Sequence, residues 1–174
     1  MNDIISPLVR LCRRITLTEG EQSILLAYFG VAFLGAVLAL NVVTSLGGYD
    51  TVFHPFLSYH WWMMISGGFG GCAGLYLGRN WMGLPGLRGV TFAILGAVWI
   101  SFLGGLVGGT LALPLYGTMF GPFTLFVTLF STPLLVTFWV CTLMAAHYFL
   151  MVWRDEQETI FDAVLSDPSE THVI

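Results

Sequence analysis

The residues of this chain with the best claim to chemistry are His54, His60, Met63 and Met64. Imidazole and thioether together form the soft donor set that suits copper(I). A second set is His147, with Met144 three residues before it and Met151 four after, on one face of a helix. Neither spacing matches a metal motif. The plainer account is a polar loop with a His-Pro turn and a lone histidine near an interface beside two core methionines. Asp50, His54 and Ser58 have the residue types of a hydrolytic triad, but nearness in sequence supplies no geometry. Cys12, Cys72 and Cys141 share no CxxC spacing, which argues against zinc and against a disulfide framework. No phosphate-binding loop, dinucleotide glycine motif or nucleic-acid patch occurs. The expectation is a protein without metal, cofactor or catalytic centre, one that is not an enzyme and binds no nucleic acid.

Composition decides which elements must carry these residues. Of 174 residues, 56% are hydrophobic and 9% charged. Soluble domains carry about 25% charged residues, so lipid must be the solvent of this chain. From residue 89 to residue 153 there is no Asp, Glu, Lys or Arg. The chain has no Lys, a usage that fits a GC-rich bacterial genome. The pattern predicts an all-α integral membrane protein with four transmembrane helices, at about 23–46, 61–78, 89–113 and 123–153. The first apolar run is too long for the core of a cleaved signal peptide and reads as an uncleaved span.

All six basic residues, Arg10, Arg13, Arg14, Arg79, Arg88 and Arg154, fall on one side of this arrangement. Basic residues are retained in the cytoplasm during insertion, so both termini are expected there, in a bacterial inner membrane. In this topology His147 lies toward the inner side and His54 and His60 toward the outer, so no pair of histidines shares the depth that a haem would need.

Short amphipathic helices are expected at both cytoplasmic ends. Residues 1–22 form an N-terminal arm in which Ile4, Leu8, Leu11 and Ile15 oppose Arg10, Arg13 and Arg14, the last three at the depth of lipid headgroups. Thr18 and Glu21 have capping-box spacing ahead of the first span. Residues 154–174 form an acidic tail, with Ile160, Phe161, Val164 and Leu165 on one face. The fourth apolar run would extend about 46 Å as one helix, too long for a straight crossing. A kink near Pro133 is the preferred solution. The other has Thr132 cap a span beginning at Pro133 while 114–131 folds back into the outer interface.

Glycine is the strongest local signal. Gly67/Gly71 and Gly70/Gly74/Gly78 repeat at four in the second span, and Gly104/Gly108 and Gly105/Gly109 in the third. Lipid offers helices no hydrophobic reason to associate, so close backbone contact through small residues must do so. The expectation is packing of spans two and three within one chain, with contact between protomers or bending at a gate as alternatives. The intramembrane polar residue Asn41 is expected to bond a neighbouring helix. Thr124, Thr128 and Thr132 repeat at four and could line a path. Two function classes follow: a non-catalytic accessory subunit or assembly factor of a larger membrane complex, or a small self-associating channel or transporter. Copper handling is a third.

Overall fold

The computed structural model describes residues 18–47 and 58–166. These form five α-helices: α1 (Glu19–Gly47), α2 (Ser58–Gly78), α3 (Gly86–Ala112), α4 (Tyr116–Ser131) and α5 (Pro133–Ser166). No strand occurs among the described residues. Three stretches are long and apolar enough to cross a membrane: Glu19–Ser45 in α1, Arg88–Ala112 in α3 and Pro133–Phe161 in α5. The 21-residue α2 falls outside that set. Its six glycines and its Tyr, His and Trp residues dilute its apolar character.

Local chemistry sets the helix ends. The capping box forms: the Glu21 N–H donates to Thr18 Oγ1 at 3.2 Å, and the Thr18 N–H donates to Glu21 Oε2 at 3.1 Å. It starts α1 at Glu19, four residues before the apolar run. Between α2 and α3 a 3₁₀ turn, Arg79–Trp81, leads into Gly83 and Gly86, both with positive φ. On the opposite end, the Tyr116 N–H donates to the Pro114 carbonyl at 3.0 Å across Leu115, whose φ is 70° and ψ −62°. This is a γ-turn of the strained hand.

The long fourth apolar run is not one kinked helix. It is two helices separated at Thr132, whose φ of −136° and ψ of 120° are extended. The residue before a proline is pushed out of the helical region, and Pro133 then sits where a missing N–H costs nothing. The Thr132 carbonyl accepts the N–H groups of Leu135 and Val136. The uncharged stretch 114–122, between the third and fourth expected spans, is largely helical, since α4 begins at Tyr116 and carries Pro122 inside it. The tail is helical through Ser166, as a direct continuation of α5, which runs unbroken through Arg154, 34 residues in all.

α2 lies between α1 and α3, antiparallel to both, and α4 folds back along α3. α5 returns antiparallel to α1, with Phe33 and Phe138 edge to face at 6.2 Å. The core holds Leu75, Met82, Ile100, Leu129 and Leu150, all essentially fully buried. Outside it, Phe29 is 74% exposed, Met119 77% and Leu134 75%. Apolar exposure on this scale suits hydrocarbon and not water. Thr18 and Glu156 are hydrogen-bonded, so the start of α1 and the latter part of α5 share one end of the bundle with Arg79.

Candidate functional site

The described members of the two candidate metal sets do not come together. Among the described residues no group of three or more His, Cys, Asp or Glu could hold a metal ion. His54 and Asp50 lie outside the described residues, as do Cys12, Arg10, Arg13 and Arg14. His60 stands beside Tyr59 at the start of α2, ring centroids 6.4 Å apart. Met63 lines a half-open cavity between the helices, and Met64 is half-buried. Met144 is 67% exposed and therefore faces outward. Cys72 and Cys141 are free thiols.

His147 has a structural partner. The Gly83 N–H donates to its Nδ1 at 2.9 Å. An amide can only donate, so Nδ1 is the unprotonated nitrogen and the proton of the neutral ring is on Nε2. Gly83 has φ of 77°, and a Cβ there would come within 3.0 Å of the Leu150 carbonyl carbon. Seven residues beyond His147, the Arg154 guanidinium donates to the Arg79 carbonyl at 2.9 Å. Two residues further, the Glu156 carboxylate accepts the Gly20 N–H and, at 3.2 Å, the Thr18 hydroxyl. An acid at that place also meets the positive end of the α1 dipole. One stretch of α5 thus fastens the start of α1 and the turn between α2 and α3. The sequence marked His147 and missed Glu156 and Gly83, because the partners lie 64 and 136 residues apart.

The glycines divide by neighbour. On α2, a Cβ at Gly67 would collide with the Gly35 carbonyl, and one at Gly71 would lie 2.7 Å from the Val31 carbonyl oxygen, so this face meets α1. Cβ atoms at Gly70 and Gly74 would collide with the carbonyls of Gly104 and Ile100, and Gly78 abuts the Ile100 side chain, so this face meets α3. On α3, Gly104 and Gly108 face α2. Gly105 faces Pro122, at 3.0 Å from a Cβ to its Cα, and Gly109 faces Gly117, so this side meets α4. Adjacent residues on a helix are about 100° apart. Each of the doublets Gly70-Gly71, Gly104-Gly105 and Gly108-Gly109 therefore serves two neighbours at once. Gly35, Gly117 and Gly121 complete these contacts and did not stand out in the sequence. Gly117 and Gly121 do repeat at four, a signal hidden by the nearby prolines.

Where the helices meet there is a cavity of about 110 Å³. Its lining includes Leu34, Leu38, Val42, Met63, Leu125 and Leu143, together with backbone at eight glycines. Ser101 and Thr124 are its two hydroxyl residues. Ser101 Oγ donates to the Ala97 carbonyl at 2.8 Å and accepts the Trp139 indole N–H at 2.8 Å. Thr124 donates to the Gly121 carbonyl at 3.1 Å. No acid, base or cation lines the space.

Asn41 does not bond a neighbouring helix: its Nδ2 donates to the Val37 carbonyl of its own helix at 2.8 Å. Thr137 likewise bonds the Pro133 carbonyl within α5. Thr132 is the exposed break between two helices, while Thr128 is buried, so the threonines repeating at four do not share one lining. No protein-family model, curated protein or solved structure matches this chain.

Proposed function

We propose that this protein is a non-catalytic accessory subunit or assembly factor of a larger bacterial inner-membrane complex, crossing the membrane four times with both ends in the cytoplasm. α2 counts as the fourth crossing because 21 residues extend about 31 Å and it is packed between two longer helices. The orientation rests on arginine. Arg79 and Arg154 are hydrogen-bonded at the same end as Thr18, and Arg10, Arg13 and Arg14 precede it. Basic residues mark the cytoplasmic side.

The observation that carries the functional reading is the course of α5. It continues as one helix beyond Arg154, with Ile160 50% and Phe161 64% exposed beside Asp155 and Glu158. An acidic segment is repelled by an anionic inner leaflet, so its apolar residues call for a protein surface. The self-associating channel has less support. The glycine faces are occupied within the chain, and Asn41, Ser101 and Thr124 each donate to a carbonyl of their own helix. Copper handling has no donor set assembled among the described residues.

The test is deletion of residues 157–174, which spares Glu156 and every fastening contact. Co-purification from native membranes followed by mass spectrometry is expected to yield an intact membrane body without the partner that accompanies the full chain. Unchanged company after deletion would overturn the docking role of the tail.

A further inference from the structure

The cavity lies at hydrocarbon depth. It is lined by residues 31–42 of α1, 100–112 of α3 and Leu143 of α5, all inside the apolar stretches that can cross a membrane. A water there would need two to four polar partners. The hydroxyls of Ser101 and Thr124 are already turned to backbone carbonyls of their own helices. The cavity is therefore dry, as apolar cavities of comparable size are, and such cavities accept apolar guests.

It also cannot close. Its walls are held apart by the contacts that bring the helices together. Backbone meets backbone at Gly35/Gly67, Gly74/Ile100 and Gly109/Gly117. None of these pairs can move closer, so collapse is blocked and the lining lacks partner atoms on its inner side. The missing dispersion must come from a guest. α4 is the wall with a seam. Glycine contacts fix it to α3, whereas none joins it to α1 or α5 among the described residues. Its far end stops at Thr132, where the helix breaks.

We propose that the cavity is a binding site for the end of a phospholipid acyl chain, which enters from the bilayer between α4 and its neighbours α1 and α5. The bilayer presents such chains directly to the outer surface of α4, where Val127 is 54% and Phe130 67% exposed. The site selects for an unbranched, uncharged chain end. Its headgroup remains in the membrane interface, because nothing in the lining can neutralise a phosphate.

The experiment uses the full chain in phospholipid vesicles containing a phosphatidylglycerol with a diazirine near the end of one acyl chain. After irradiation, mass spectrometry is expected to find adducts on the cavity residues Met63, Leu125 or Leu143 as well as on the outward residues Phe130 and Leu134. Leu143→Trp, which fills the space, should abolish the interior adducts and leave the outward ones. Val42→Phe fills it from another wall and serves if Leu143→Trp does not fold. Adducts confined to outward residues in the unaltered protein would overturn the site, as would interior adducts that survive in a folded filled variant. Loss of interior adducts to an added prenyl quinone, with no loss to excess unlabelled phospholipid, would overturn the acyl assignment.

Discussion

The Gly83 N–H lies in a turn that offers it no helical carbonyl, and the imidazole of His147 accepts it at 2.9 Å. Gly83 is buried, so removing the acceptor leaves an orphaned donor, a loss of about 1–3 kcal/mol. His147→Leu should therefore lower the thermal unfolding midpoint in detergent micelles, and His147→Gln, which restores an acceptor, should recover part of it. Equal midpoints for the Leu and Gln variants would show that packing alone matters here. Leu115 presents the opposite case. Its positive φ is costly for a side chain with a Cβ, by roughly 1–2 kcal/mol, and the side chain is 80% exposed. Leu115→Gly should raise the midpoint, because strain is relieved and little packing is lost. A fall would mean that the exposed leucine contributes to stability through contact with detergent or lipid.

At the scale of the helices, the distinction is between glycines that carry backbone contact and glycines that do not. Gly74 faces the Ile100 carbonyl with no space for a methyl group. Gly74→Ala should destabilise by about 1–3 kcal/mol through overpacking. Gly30 has only the Thr142 methyl near it, 3.8 Å from a Cβ. Gly30→Ala should be neutral or stabilising by up to about 1 kcal/mol, since alanine is the better helix former. Midpoints of the two variants side by side check this, and similar effects would deny that glycine contacts hold the bundle. The same scale shows what the residues disclose by themselves. Repeats at four spacing and apolar run lengths are local, so α1, α2 and α3 are legible, as is the Thr18–Glu21 cap. The α4 segment is not. Pro114, Gly117, Gly121 and Pro122 spell a turn by the rules that hold in water. In lipid, every backbone group needs an internal partner, and that demand makes the segment helical. Pairings that span the chain, such as Glu156 with Gly20, leave no local trace.

For the whole molecule, arginine placement and the shared end of Thr18 and Glu156 generate a topology that can be measured. With Cys12, Cys72 and Cys141 replaced by alanine, Leu115→Cys should react with a membrane-impermeant maleimide in intact cells. Glu158→Cys should react only after the membrane is opened. Labelling of Glu158→Cys in intact cells would reverse the orientation. The cavity belongs to this scale too, and no residue pattern announces it. It arises because α1, α2, α3 and α4 are stopped at backbone contact before their side chains can fill the space between them.

The fastening residues have a consequence for how the protein is made. His147, Arg154 and Glu156 all belong to α5, which leaves the ribosome after α1 to α4. Until then the Gly83 N–H, the Arg79 carbonyl and the Gly20 N–H lack these partners. The nascent chain therefore passes through a stage in which α1 to α4 have been made and this end of the bundle is still open. Translation stalled before residue 147 would leave that end open to proteolysis, and addition of α5 would seal it in one step. A membrane protease could distinguish finished from unfinished copies by this end alone.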